Sequence, residues 1–327
     1  TLSGKMSLAD ILTSLERQTG NKICTARLGN SAPVLRRTLD IDVLKVPFWN
    51  ALDLVLFRAG LGVYPYGEQG SVELVTQAAP RAAEDGYVSY AGPFRFQLVS
   101  LLAQRDLKPP ESRSLKVELE VAWEPRVSPI GLRQPMADVQ ATDDRGNPMA
   151  VDTPEASLEV TVPRGPIASR LILPLALPPR DVRAIAELRG TLSALLPSRV
   201  EPFRFPDLGR VRQTTKRIAG VSVTLEGVAA LGKSLEARLL VHFDQPGDAL
   251  ASHRTWIFSN PAYLETRDGK TIGPESVHPT RQTANELGLA LTFPMDRSPE
   301  EYTLVYATPT TIGSVPLEYR FRDIPLP

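Results

Sequence analysis

Three histidines, His242, His253 and His278, fall in the last third of the chain, with Asp244 and Asp248 close by. Imidazole and carboxylate are the ligand types of zinc and related metal sites, and imidazole is a common general base near neutral pH. The spacing fits no metal-binding pattern. His242 takes an outward position on an alternating strand and His253 a loop, so solvated or structural histidines are expected. Asp143, Asp144, Arg145, Gly146 and Asn147 carry the residue types of a calcium loop, without the alternating ligands and the distal acidic residue that such a loop needs. A hairpin turn is expected there. Gly190, Thr191, Leu192 and Ser193 have no neighbouring Gly-x-Ser-x-Gly elbow, so they give no hydrolase nucleophile. Neither a phosphate-cradling glycine loop nor a Cys/His zinc pattern is present. Glu118 and Glu120 fall on the outward face of a strand, where solvated charge is the usual outcome. No catalytic set, metal site or cofactor site is read from these residues, and a non-enzymatic protein is expected.

Aromatic and thiol groups offer binding rather than reaction. Trp123 lies on an apolar strand face and is expected in a core, and Trp49 is expected to pack against the linker or the next domain. Trp256 fits surface and core equally well, and at a surface it could stack on a sugar ring. Carbohydrate or cell-wall binding through such aromatics is the alternative function. The single cysteine, Cys24, allows no internal disulfide and is expected to be an inert, mostly buried thiol.

The elements that position these residues are mostly strands. Residues 115–123 alternate apolar and polar side chains without a break, placing Leu115, Val117, Leu119, Val121 and Trp123 on one face. Residues 235–243 repeat the alternation with Leu235, Ala237, Leu239, Val241 and Phe243, and Leu240 is the outward apolar exception. Other landmarks recur in the same order. Residues 94–99 precede the first stretch and 221–225 the second; 137–142 lead into a turn at Gly146, and 262–266 into one at Gly269. Late strands at 169–173 and 302–306 are matched to each other, as are the ends, 185–192 and 315–321. Thirty prolines disfavour long helices and suit short strands joined by stiff loops. Two duplicated immunoglobulin-like β-sandwich domains are expected, at 91–208 and 209–327.

Residues 1–78 read as a small α+β domain, joined to the rest by a small, polar linker at 79–90. Ser7 and Asp10 mark a helix start, Leu8, Ile11, Leu12 and Leu15 its apolar stripe, and Gly20 its end. A strand follows through Ile23, and another is expected around residues 35–43. Pro47 opens a second helix as its first residue, Phe48, Leu52, Val55 and Leu56 form its stripe, and Gly60 ends it. Residues 63–66 and 72–75 read as a hairpin. The run 7–12 with Leu15 and Gln18-Thr19-Gly20 resembles the short N-terminal domain of secretins and TonB-dependent transducers. Residues 39–43, Val46-Pro47, Ala51-Leu52, Leu56 and Ala59-Gly60-Leu61 match its second half. The likeness covers about a quarter of the chain, and no secretin pore or outer-membrane barrel follows it. It implies a periplasmic protein–protein adaptor, with envelope proteins as partners; a glycan, through the sandwich aromatics, is the further candidate ligand.

Charge and hydropathy narrow the class. With 37 basic and 37 acidic residues and no basic stripe, nucleic-acid binding is not expected, nor is attraction to an anionic membrane. No apolar run reaches the roughly 20 residues of a membrane span. The chain starts at Thr1, and a removed upstream segment such as a signal peptide is expected, with the periplasm or the surface of a bacterium as its place. The partner-binding candidates are Asn50 and Asp53, expected to be exposed on the second helix, together with Trp256.

Overall fold

The computed structural model describes residues 2–67, 70–77, 86–108, 113–160, 162, 165–210, 212–244 and 254–327. These are mostly β-strand, arranged in several sheets.

The N-terminal module runs β1 (Leu2–Ser7), α1 (Leu8–Thr19), β2 (Ile23–Cys24), a 3-10 segment (Ala26–Arg36), β3 (Thr38–Val43), α2 (Phe48–Ala59), β4 (Leu61–Tyr64) and β5 (Val72–Thr76). Helix α1 forms where the sequence signals it. Ser7 is extended and its Oγ accepts from the Asp10 amide at 3.2 Å, while Leu8, Ile11, Leu12 and Leu15 are buried. Gly20, at φ 73°, ends the helix in a left-handed turn that leaves its N–H bonded to Glu16 O at 2.8 Å. Pro47 stands just before α2 rather than as its first residue. Strand β1 was not expected; it pairs antiparallel with β3, Leu2 opposite Val43 and Ser7 opposite Thr38. The strand expected at 35–43 begins only at Thr38, because the preceding 3-10 segment contains Pro33 and a kink at Gly29. Strands β2, β5 and β4 form a second small sheet in that order. Of the expected linker, residues 79–85 lie outside the described residues, and 88–90 already belong to a strand.

The remaining strands are β6 (Val88–Ala91), β7 (Phe94–Arg105), β8 (Arg113–Trp123), β9 (Gly131–Pro135), β10 (Gln140–Asp143), β11 (Pro148–Met149), β12 (Ser157–Val160), β13 (Ala168–Leu175) and β14 (Ala184–Phe205). They continue as β15 (Thr214–Ile218), β16 (Val221–Leu231), β17 (Ser234–Phe243), β18 (Ala262–Thr266), β19 (Thr271–Ile272), β20 (Ser276–Gln282), β21 (Glu286–Pro294) and β22 (Tyr302–Pro325). The chain divides into two compact units, Thr1–Ala194 with Val315–Pro327, and Leu195–Ser314. These boundaries differ from the expected 208/209. They fall inside β14 and β22, where no change of composition marks them.

In unit 1, the antiparallel sheet β13-β8-β7-β6 buries Phe94, Phe96, Leu115, Val117, Leu119, Val121, Trp123, Leu171 and Leu173 on one face. Phe94 stands opposite Trp123, and a bulge falls between Leu98 and Ser100. Strands β10 and β14 pair, with the β10–β11 hairpin closed by the Asp143 N–H on Asn147 O (2.9 Å) and the Gly146 N–H on Asp143 O (3.0 Å). The last residues of the chain return to this unit, a correction to their assignment to the final domain. Tyr319 packs on Phe96 and Phe321 at 5.2 and 5.7 Å between ring centres, and its hydroxyl donates to Gln134 Oε1. Leu317, Phe321 and Ile324 are buried with it.

In unit 2, the sheet β15-β16-β17-β21-β20 buries Val221, Val223, Leu225, Leu235, Ala237, Leu239, Val241, Leu287, Leu289, Leu291 and Phe293. Val221 stands opposite Phe243, and a bulge falls between Leu225 and Gly227. Strand β18 pairs with β22, Leu264 opposite Leu304. The β18–β19 hairpin closes through the Thr266 N–H on Lys270 O and the Gly269 N–H on Thr266 O, both 2.9 Å. By place in the ladder, the counterpart of β13 is β21, not residues 302–306 as expected, and β14 corresponds to β22. Alternation alone misassigned them, since all four strands carry the same apolar period.

Candidate functional site

The N-terminal module is built around α2, and α2 decides what the module can offer. Phe48, Trp49, Ala51, Leu52, Val55, Leu56 and Ala59 are all buried, an arc wider than one neighbouring layer needs. Trp49 is fully buried, and its Nε1–H donates to Pro93 O at 3.1 Å. One turn further, Asp53 Oδ2 accepts from the Tyr90 hydroxyl at 2.6 Å and from Arg95 Nε at 2.7 Å. Arg95 also donates to Gln97 Oε1. Asn50 buries its Oδ1 without a hydrogen-bond partner among the described residues. The expectation that Asn50 and Asp53 face solvent is therefore corrected. Their flank of the helix is turned onto β6 and β7 of the same unit, because the bulky Trp49 anchors that flank against Pro93.

Two further polar clusters join module and sheet. Asn21 Nδ2 donates to Glu124 Oε2 at 2.8 Å, and Asn21 Oδ1 accepts from the Arg126 amide. The Tyr66 hydroxyl donates to Glu120 Oε2 at 2.7 Å and accepts from Arg170 Nε at 2.8 Å, while Arg170 Nη1 pairs with Glu118. Two backbone bonds reinforce them, Gly70 N–H to Gly165 O and Ile167 N–H to Pro65 O. Charges at such depth survive only with partners. Burial pulls the Arg95 guanidinium down, but Asp53 more than offsets this and leaves it above its ordinary value. Burial, then the nearby Asp53 charge, pushes the Tyr90 phenol up, and burial with Glu120 does the same to Tyr66. Each phenol stays a donor to its carboxylate. Sequence reading missed Tyr66, Tyr90, Arg95 and Glu120. A charged residue on a strand's outward face gives no sign that another layer covers it, and Glu120, expected to be solvated, is 8 % exposed.

The remaining candidates are placed as follows. Trp256 is 8 % exposed and meets Phe243 edge-on at 6.0 Å, so it belongs to a core and offers no stacking face. Trp123 is buried as expected, and with Trp49 buried too, no tryptophan presents an open ring. Cys24 is half-buried and free. His242 lies half-buried on β17, with Glu286 at 3.4 Å and Asp244 at 3.7 Å, and His278 is exposed on β20. His253 and Asp248 lie outside the described residues. Asp143 is a turn residue: Oδ1 accepts from the Arg145 and Asn147 amides at 2.9 and 2.8 Å, and Oδ2 from the Asn147 side chain.

The module does keep four large apolar side chains in water. Leu44 and Val46, between β3 and α2, are 60 and 46 % exposed, and Leu54 and Phe57 on α2 are 37 and 42 % exposed. Leu54 stands one turn before Arg58, whose guanidinium reaches Asp40 O of β3, and Leu44 lies just past the end of that strand. In the β1–β3 sheet each strand has one edge with no strand partner among the described residues.

No protein-family model matches the chain, and no curated protein matches it. Among solved structures, the crystal structure of the conserved domain protein from Bacillus anthracis is similar at 9% identity and a TM-score of 0.23, covering 72% of this chain and 89% of that one. None of the helices among the described residues is long and apolar enough to cross a membrane.

Proposed function

We propose that this protein is a non-enzymatic interaction protein of a bacterial cell envelope, with its N-terminal module as the docking element for another envelope protein. The observation that carries this reading is the exposure of Leu44, Val46, Leu54 and Phe57, all within residues 44–57. They stay in water although α2's other flank is already buried against β6 and β7. A folded domain that leaves four large apolar side chains within one short stretch exposed has a surface suited to a partner. The open edges of β1 and β3 add a backbone template for an extended segment of that partner. On this reading the strands that follow the N-terminal module form two spacers and further binding surfaces of immunoglobulin-like sandwich type, duplicated from one ancestor; the matching ladder registers and bulges favour that.

The test is photo-crosslinking in the native cells from residues placed at Leu54 and Phe57. One discrete envelope protein is expected, lost in Leu44→Glu and Phe57→Glu chains whose circular dichroism is unchanged. Labelling that yields only self-adducts, or a capture indifferent to both substitutions, defeats the reading. Point substitutions serve better than deleting residues 1–78, because deletion strips the partner from the buried Arg95.

A further inference from the structure

Unit 1 carries a groove that no expected site residue touches. It holds about 440 Å³, within the roughly 300–1,000 Å³ of small-molecule sites. Four separate stretches wall it: Ser89 of β6, then Asp138 and Gln140, then residues 189–191 of β14, then residues 318–320 of β22. Both guanidiniums are held by neighbouring side chains. Arg189 donates to Gln140 Oε1 through Nε (3.1 Å) and Nη2 (2.7 Å), and Arg320 donates to Glu187 Oε2 through Nε (2.7 Å) and Nη2. Such bracing fixes the side chains before anything binds and lowers the ordering cost. Tyr319 is held by its ring contacts and by its bond to Gln134. A Cβ at position 190 would fall 2.4 Å from the Tyr319 hydroxyl, so glycine is what lets β14 and Tyr319 approach this closely.

The lining selects a chemical class by its balance. Two carboxylates, Asp138 and Glu318, and two guanidiniums, Arg189 and Arg320, line the groove. Both guanidiniums also pair with a third carboxylate, Glu187, Arg189 at 3.8 Å, whereas neither Asp138 nor Glu318 has a hydrogen-bond or ion-pair partner among the described residues. A phosphate entering the groove meets the carboxylates, and a cation meets the guanidiniums, so either is repelled as well as attracted. An apolar ligand strips water from four charges and returns nothing. Closely spaced hydroxyls, each both donor and acceptor, satisfy carboxylate, guanidinium and the Gln140 amide together. We propose that this groove binds a neutral saccharide. The proposal stands apart from the docking face of the N-terminal module and shares no residue with it.

The test is isothermal titration of the full chain with maltotetraose, cellotetraose and chitotetraose. At least one is expected to bind with a dissociation constant of about 1 mM or tighter. Asp138→Ala and Arg189→Ala, both at exposed positions, are each expected to weaken it roughly tenfold, the size of one lost charge-assisted hydrogen bond. Trp256→Phe is expected to leave it unchanged. Failure of all three sugars to bind at about 10 mM overturns the proposal. So does binding that both alanine variants retain, or binding of inorganic phosphate or tetralysine in place of the sugars.

Discussion

In one sheet Phe94 stands opposite Trp123, and in the other Val221 stands opposite Phe243. Leu119 faces Leu171 as Leu239 faces Leu289, and the bulge after Leu98 recurs after Leu225. The inner faces are thus nearly interchangeable. The outer faces are not. At equivalent ladder positions, Ala122 is 1 % exposed whereas the His242 side chain is 32 % exposed, and the buried Arg95 and Glu120 correspond to the half-buried Ser222 and Leu240. The difference comes from the N-terminal module, which lies on the first outer face and supplies Asp53 and Tyr66 as partners for charges that are otherwise too costly to bury. Strand alternation fixes which face turns inward. What covers the other face fixes which polar residues it must carry.

The sharpest test removes one member of the covered ion pair. Asp53→Ala leaves Arg95 charged and buried, and is expected to cost about 3–5 kcal/mol in chemical denaturation. Adding Arg95→Met should recover most of that loss. Ser222→Ala, at the Arg95 position of the uncovered sheet, should stay within about 0.5 kcal/mol. If Asp53→Ala is as mild as Ser222→Ala, the contrast between the two outer faces collapses.

Leu119→Ala and Leu239→Ala probe the shared inner face. Both side chains are fully buried at the centre of their ladders, and each truncation should cost about 2–4 kcal/mol. A difference between them larger than about 2 kcal/mol, measured by urea unfolding, would show that the matching registers do not carry matching packing.

The two hairpins allow a finer comparison. Asp143 accepts three hydrogen bonds within its turn, and the Thr266 hydroxyl accepts one from the Lys270 amide. Asp143→Ala should therefore cost about 1–2 kcal/mol and Thr266→Ala about 1 kcal/mol or less. Reversal of that order would mean that these side chains do not set the turns.

The smallest expected effect is a pH dependence at the second hairpin. Asp268 is held down to about 2, first by the Thr266 hydroxyl and then by Arg297. Its folded value lies below the ordinary 3.8, so its contribution is complete above that pH and fades as the pH falls towards 2. Carboxyl chemical shifts followed by NMR should show this low midpoint, with turn-residue shifts tracking it. Asp268→Asn should abolish the dependence, and a midpoint near 4 would contradict it.

Much of this architecture is legible in the sequence, for local reasons. Ser7, Gly20 and Gly60 mark helix ends through their own backbone preferences, and unbroken alternation marks β8 and β17. The outer-face contacts are not legible. Asp53 reads as the solvent side of an amphipathic helix, and only the neighbouring Tyr90 and Arg95, brought there by the tertiary fold, make it an interior group. The groove escapes for a related reason: Asp138, Arg189 and Glu318 are remote in sequence, and each alone is an ordinary surface charge. Strand β1 is short and mostly exposed, so its pairing to β3 leaves a weak pattern.

The return of Val315–Pro327 to unit 1 has a consequence in time. A ribosome adding about 5–20 residues per second takes about 6–24 s to pass from Ala194 to Val315 across the roughly 120 intervening residues. Unit 2 is complete in sequence before unit 1 is. Throughout that interval Phe96 lacks Tyr319, and Gln134 lacks the phenol that bonds it. The nascent chain thus carries an unfinished core in unit 1 while that of unit 2 closes, and residues 315–327, made after unit 2, finish the unit whose other residues were made before it.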